Sequence, residues 1–191
     1  MIDESANHAL VCSSNNGLRT IRHDKVCEAL SKALKRNPTG ARVEKGGEHA
    51  RHAVGPRGTQ RVAITDLEYV GLEGRVLIDV TVVEPSSKTS RELHNSVTKA
   101  GGAAEGAARR KRRDKYSSVP DLEQNDGTRL VCFALESTGR LGEEALKFIE
   151  GIFPPGQRAH GAFNNLLTEI SVIMSHSSAL MVRESWGRVG V

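Results

Sequence analysis

The stretch VLIDVTVV, residues 76–83, decides the fold, because its nearly unbroken run of Val, Ile and Leu predicts a buried β-strand. One acid, Asp79, interrupts this apolar run. A lone carboxylate in a buried strand costs free energy unless it is paired or binds a metal ion. The sequence therefore predicts a compensating group beside Asp79.

A second acid is expected directly opposite Asp79. Residues 62–70 predict another strand, and GLEG at 71–74 predicts the turn that joins it to a strand at 75–83. Antiparallel pairing through this turn places Asp66 opposite Asp79, with the two Cβ atoms about 5 Å apart, where like charges repel. Two acids this close in a mostly apolar setting predict a divalent-cation site.

Composition and charge limit the class of protein. The 191 residues suffice for one domain with a core, but 4% aromatic residues is low, which indicates that part of the chain is disordered or packs on a partner. The net charge of +4 modestly favours an acidic partner such as nucleic acid. Three separated cysteines form no CxxC motif and no Cys/His cluster, so the sequence predicts neither a disulfide framework nor a zinc site. Without a long apolar run or a signal peptide, we expect an intracellular protein and no membrane partner.

The remaining elements predict an α/β fold with a mixed central β-sheet flanked by helices. Beside the hairpin, apolar spacing and turn residues predict further elements: a helix at 22–36, a short strand at 41–44, a helix at 88–115, a strand at 130–135, and helices at 142–152 and 160–184. We expect three parts along the chain: a flexible N-terminal segment at 1–21, one domain at 22–153, and a C-terminal amphipathic helical appendage at 154–191.

A basic segment, RRKRRDK at 109–115, lies near the end of the predicted long helix. A solvated helix end is the simplest explanation of such a run. Leu93 and Lys111, however, are five helical turns apart, so Lys111 extends the apolar face that includes Val97 and is directed toward the acids. This count requires the helix to continue unbroken through the pair of glycines at 101–102.

Two acids and a lysine around a divalent cation suit phosphodiester hydrolysis. The acids hold Mg²⁺ or Mn²⁺, which polarises the phosphate and lowers the pKa of a bound water. The lysine orients that water or neutralises charge that develops in the transition state. Basic side chains contact the phosphate backbone of DNA. The candidate nucleic-acid contacts are Arg109, Arg110, Arg112, Arg113, Lys115 and Tyr116.

These residues resemble the restriction-like endonuclease domain of site-specific non-LTR retrotransposons, which belongs to the PD-(D/E)XK nuclease superfamily. The likeness covers roughly residues 22–152. It depends on Asp66, twelve intervening residues, DVTV at 79–82, the basic helix with its lysines and Tyr116, and the strand FALESTG at 133–139. It implies a restriction-endonuclease-like αβββαβ core, nicking of target DNA, a nuclear location, and a reverse transcriptase domain of the same element as a partner.

The resemblance also implies a role for each candidate residue. Asp66 and Asp79 correspond to the metal-binding acids, and Lys111 to a catalytic lysine that has moved from the strand to the helix, with Lys115 as its substitute. Glu44, at the end of the short strand after the first helix, corresponds to a third acid that often occurs in the superfamily.

The sequence departs from the family motif in two places. Thr65 stands where the motif has proline, and Thr81 stands where its short form has lysine. A catalytically degenerate nucleic-acid-binding remnant of the same fold is therefore the alternative function, with Asp79 then a structural acid capped by a donor such as Thr81. A third interpretation is a protein-interaction module in which the terminal helix forms a homodimer.

Overall fold

The protein is described by a computed structural model, which covers residues 9–10, 15–37, 42–45, 53–54, 60–61, 64–71, 74–85, 94, 97–117, 128–153 and 160–187. Its helices are α1 (Asn16–Lys35), α2 (Gly102–Lys111), α3 (Glu143–Ile152) and α4 (His160–Gly187). Its strands are β1 (Arg42–Lys45), β2 (Ala53–Val54), β3 (Gln60–Arg61), β4 (Leu67–Gly71), β5 (Gly74–Val83) and β6 (Arg129–Glu136). A π-helical turn, Arg112–Tyr116, continues α2.

Within the described residues, a four-stranded sheet has the order β1-β4-β5-β6, and β2 and β3 form a separate pair. Strand β4 pairs antiparallel with both β1 and β5, whereas β6 runs parallel to β5. A parallel pair requires a crossover, and α2 lies in it. The predicted α/β class, with a mixed sheet and flanking helices, is confirmed.

The register of the β4–β5 hairpin is the predicted one, with Val70 paired to Arg75 and Leu67 to Ile78. Strand β4 begins at Leu67, one residue after Asp66, which lies in a bend rather than inside the strand predicted at 62–70. The Asp66 N–H still donates to the Ile78 carbonyl at 2.9 Å, and the Asp66 carboxylate accepts the Val80 N–H at 2.7 Å. The bend thus keeps Asp66 hydrogen-bonded to β5 through both its backbone and its side chain.

The two faces of the sheet pack against different helices. Ile78 and Val80 face a large core that includes residues of α1, α3 and α4. Leu77 faces a smaller core formed with Ala104 and Ala108 of α2. Because side chains alternate along a strand, Asp79 shares the α2 face with Leu77.

The helix that carries the basic segment begins later than the 88–115 helix that we predict. Gly101, with φ +73°, has left-handed backbone before α2, so the glycine pair does break the helix. Val97 is 77% exposed and does not belong to the apolar face, which corrects that expectation, and Leu93 lies outside the described residues. Lys111 keeps its direction because Ala104 and Ala108, two turns and one turn before it, pack on the sheet.

The terminal helix α4 shares the large core with the sheet. Its residues Leu166, Ile170 and Met174 are buried there, and α4 packs along α1. Helix α1 begins at Asn16, six residues before the predicted start. In the part of the chain that the structure describes, no helix has the length and apolar character that a membrane span requires.

Candidate functional site

The carboxylate of Asp79 is surrounded by donors, although its side chain is only 2% exposed. Lys111 Nζ lies 2.5 Å from Oδ1, and Lys115 Nζ lies 2.8 Å from Oδ2. The hydroxyl of Tyr116 also donates to Oδ2. Among the described residues these groups supply the compensation that a buried charge requires.

The π-helical turn explains why Lys111 and Tyr116 reach the same carboxylate. Residues five apart would point about 140° apart on a regular α-helix, from its period of 3.6 residues. A π-turn bonds residue i to residue i+5 and so aligns such pairs, and π-turns are frequent at functional sites. Lys115, between them, also donates to the Ile64 carbonyl at 2.5 Å, which ties the turn to the chain before β4.

Asp66, in the bend before β4, contacts Asp79 of the central strand β5. Its Oδ2 accepts the Val80 N–H and lies 3.3 Å from His23 Nε2 of α1. Burial disfavours the charged form of Asp66, but its contacts with His23, Asp79 and the Val80 N–H outweigh burial and lower its pKa to about 2. Asp66 is therefore ionised at neutral pH.

His23 is a member of the site that the sequence analysis did not identify. Its hydrogen bond to Asp66, and next its contact with Cys27, raise its pKa to about 11. The imidazole is therefore protonated at neutral pH. The available signal was the four-residue spacing of His23 and Cys27 on a predicted helix, but only the folded chain places them beside Asp66.

The described site brings together three acids and three basic groups. The acids are Asp24, Asp66 and Asp79, and the basic groups are His23, Lys111 and Lys115. The two lysines lie together at the end of α2, where their positive charge favours an anionic ligand such as a phosphate group.

The carboxylate and carbonyl oxygens at the site are also ligand types that suit a hard divalent cation. Lys111 Nζ lies between Asp79 Oδ1 and the Val80 carbonyl oxygen, at 2.5 and 2.7 Å. A cationic group thus already occupies a position bounded by a carboxylate and a carbonyl, which are ligand types that Mg²⁺ accepts. Asp66 supplies a second carboxylate beside them.

Thr81 does not cap Asp79. Its hydroxyl oxygen is buried and has no hydrogen-bond partner among the described residues. The alternative of a structural acid held by Thr81 therefore does not describe the contacts of Asp79, which are made by side chains that follow α2.

Glu44 lies outside this group of residues. It is on β1, opposite Glu68 of β4, and two strands away from β5. Its exposed carboxylate forms an ion pair with Arg42. The third-acid role of Glu44 stays a prediction without support from a contact to the other acids.

The predicted phosphate-binding arginines mostly have acidic neighbours. Arg109 pairs with Glu105 at 2.6 Å, and Arg113 pairs with the adjacent Asp114 at 2.7 Å. The side chains of Arg109 and Arg113 are 66% and 69% exposed, so these are weak surface pairs that a phosphate can replace. Arg110 is half-buried, and its contact with phosphate stays a prediction.

Arg112 covers the outer edge of β6. Its guanidinium donates to the Leu130 carbonyl at 3.0 Å and to Glu144 at 2.7 Å, and Glu144 in turn accepts the Cys132 N–H at 3.1 Å. Edge strands need such cover to avoid pairing with other chains. Arg112 therefore has a structural role beside the nucleic-acid contact predicted for it.

Comparison with known proteins identifies no family: no protein-family model matches the chain, and no curated protein is significantly similar to it. The function proposed below consequently rests on the residues of the site and on their geometry.

Proposed function

We propose that the protein is a Mg²⁺-dependent DNA endonuclease, with the target-nicking activity that the retrotransposon resemblance implies. The observation that carries the proposal is the meeting of Asp66, Asp79 and Lys111, which come from the bend before β4, from β5 and from the end of α2. One further acid, two lysines and a phenol converge on the buried Asp79 carboxylate. Convergence of titratable groups with shifted pKa values, as for Asp66 and Tyr116, is typical of catalytic sites.

Each residue has a defined part in this proposal. Asp66 and Asp79 would hold Mg²⁺, which when bound polarises a phosphate and activates a water molecule. Lys111 and Lys115 neutralise negative charge that develops on the phosphate during hydrolysis. Because both ammonium groups contact Asp79 in this structure, Mg²⁺ binding at Asp79 requires at least one of them to move from the carboxylate toward the phosphate.

Tyr116 acts as a positioning residue. Burial, and next its hydrogen bond to Asp79, raise the pKa of its hydroxyl far above the ordinary value, so it stays a proton donor. A neutral donor holds one carboxylate oxygen without adding charge. Asp79 Oδ1 thus keeps a fixed orientation toward Lys111.

The proposed substrate is DNA, bound through its phosphates. Exposed Arg109 and Arg113 lie on either side of Lys111 at the same helix end, and phosphate contacts of this kind position DNA without reading its sequence. The proposal includes action in the nucleus and a reverse transcriptase domain of the same element as partner. Dimerisation through α4 stays a separate prediction.

Nicking of supercoiled plasmid DNA tests the proposal. With Mg²⁺ or Mn²⁺ the protein should convert supercoiled to open-circular DNA, and EDTA should abolish this. Asp66→Asn and Asp79→Asn should each lower the rate by roughly 100-fold or more, the loss typical of removing one electrostatic contact to the transition state. Glu28→Gln, at an exposed acid on α1, is the matched control and should nick normally. Intact DNA at all metal concentrations would overturn the enzyme proposal.

One observation favours the alternative of a non-catalytic nucleic-acid-binding protein. Both lysines already bind Asp79, so the buried acid is compensated without a metal. This alternative predicts salt-sensitive DNA binding that Asp79→Asn leaves intact, and no rise in melting temperature with Mg²⁺. A true metal site should be stabilised by Mg²⁺ in the wild type, because the ion binds only the native state.

A further inference from the structure

A second set of ligand atoms lies on the other side of Asp66 and contains a nitrogen and a sulfur. His23 and Cys27 are one turn apart on α1, so both side chains leave the same face of the helix. His23 Nε2 lies 3.3 Å from Asp66 Oδ2 and 3.9 Å from Cys27 Sγ. The three ligand atoms all lie within 4.8 Å of one another.

We propose that His23, Cys27 and Asp66 bind a borderline transition-metal ion of the Zn²⁺ type. Bond lengths of about 2.0 Å to nitrogen or oxygen and about 2.3 Å to sulfur place tetrahedral ligand atoms about 3.3–3.6 Å apart. The His23–Asp66 distance already has this value, and the His23–Cys27 distance exceeds it by a few tenths of an ångström. The Asp66–Cys27 pair lies within 4.8 Å. Metal binding therefore requires side-chain rotations that bring the three atoms together, and release of the protons on His23 Nε2 and Cys27.

The ligand types separate this site from the Mg²⁺ site. Thiolate and imidazole ligands select zinc-like ions, whereas Mg²⁺ takes oxygen ligands. Three protein ligands leave the fourth tetrahedral position open, as in zinc sites that bind a water or a substrate atom.

Asp24 supplies an independent observation in favour of a metal-binding histidine. Its Oδ1 lies 3.2 Å from His23 Nδ1, the ring nitrogen opposite the one that faces Asp66. A carboxylate on the far nitrogen fixes the ring orientation and the tautomer, and metal-ligating histidines nearly always have such a partner. His23 Nε2 is consequently held toward Asp66, and Cys27 Sγ lies 3.8 Å from Nδ1 and 3.9 Å from Nε2.

The site does not depend on nuclease activity, but it shares Asp66 with the proposed Mg²⁺ site. The contacts of the Asp66 carboxylate with His23 and with the Val80 N–H are both made by Oδ2 in this structure.

Cobalt titration of the purified full chain tests the site, because Co²⁺ replaces Zn²⁺ and a thiolate ligand gives a charge-transfer band in the near ultraviolet. The wild type should show this band, and added Zn²⁺ should remove it. Cys27→Ala should lose the band, and it should fold normally since Cys27 is only partly buried on a helix. Cys132→Ala, at a cysteine on β6, is the matched control and should keep it.

Two further variants sharpen the test. Asp24→Asn should weaken Co²⁺ binding roughly 10- to 100-fold, the usual effect of losing the partner of a ligating histidine. Asp79→Asn should stop nicking but keep the cobalt band, so failure of the nuclease proposal is distinguishable from failure of this one. A wild type without the band, or a Cys27→Ala variant that retains it, would overturn the inference.

Discussion

At the scale of single residues, Asp79 is the centre of the site because its burial forces other groups to compensate it. Two ammonium groups and a phenol do so, each from the segment that ends α2. Removing one partner of a buried charge costs far more than the pair itself contributes, since the remaining charge stays desolvated. The contacts of Asp79 are therefore sensitive to single substitutions.

Tyr116→Phe should lower the free energy of unfolding by about 1.5–3 kcal/mol, because a buried hydrogen bond to a charged group is lost. Urea unfolding at neutral pH measures this effect. Tyr69→Phe is the matched control, because the Tyr69 hydroxyl is also buried but accepts a longer bond of 3.4 Å from Asn37. Equal losses of unfolding free energy in the two variants would show that the Tyr116–Asp79 hydrogen bond contributes no more than the bond between Asn37 and Tyr69.

We expect the metal-free protein to lose stability at alkaline pH because the pKa of His23 is raised in the folded state. Its folded pKa is raised to about 11, so the protonated ring stabilises the fold fully below its unfolded pKa of about 6.5. That stabilisation decreases as the pH rises toward the folded value. The difference in unfolding free energy between wild type and His23→Gln, measured with a chelator present, should shrink between about pH 6 and about pH 10. A difference that does not change with pH would contradict the assigned charge of His23.

At the scale of elements, α2 holds Lys111 and Lys115 at Asp79 because the position of this helix is fixed by its packing. Its small residues, Ala104 and Ala108, pack directly on the sheet, and buried Glu136 accepts the Ala103 N–H at 3.2 Å near its start. Gly101 turns the chain into the helix against the Leu141 carbonyl. A Cβ atom at Gly101 would lie 2.0 Å from that oxygen.

Gly101→Ala should therefore destabilise the fold by roughly 1–3 kcal/mol or more, from the left-handed backbone alone, and the backbone clash adds to this cost. Thermal unfolding monitored by circular dichroism checks the prediction. Gly151→Ala is the matched control, because a Cβ atom there meets no atom within 4 Å and alanine favours a helix. Similar melting temperatures for the two variants would contradict the account of how α2 is held.

The hairpin and the helix differ in how far the sequence predicts them. The turn length predicts the β4–β5 register, which the structure has from Leu67 paired with Ile78 to Gly71 paired with Gly74, with Asp66 in the bend just before it. Lys111 was expected at Asp79 through a helical count from Leu93 that the break at Gly101 invalidates. Lys111 reaches Asp79 because Ala104 and Ala108 pack on the sheet and so orient the side of α2 that carries it. The π-turn that aligns Tyr116 depends on tertiary contacts and left no sequence signal.

At the scale of the whole molecule, the end of β4 is where the two faces of the sheet meet. Asp66, in the bend, contacts Asp79 on the α2 face and His23 of α1 from the opposite side. The sequence order predicts the mixed sheet and the crossover helix between β5 and β6, because these follow from strand patterns and connection lengths. The approach of α1 to Asp66 is a long-range packing result that no local pattern such as a CxxC motif predicts.

The central claim is that Lys111 of α2, Asp79 of β5 and Asp66 of the bend before β4 form one hydrolytic site. Nicking of supercoiled DNA by Lys111→Met, in Mg²⁺ buffer, tests it most directly, with Lys147→Met as the matched control at an exposed lysine of α3. The account predicts a loss of roughly 100-fold or more for Lys111→Met, since a preorganised charge at the phosphate is removed, and an unchanged rate for the control. Equal nicking by wild type and Lys111→Met would contradict the account.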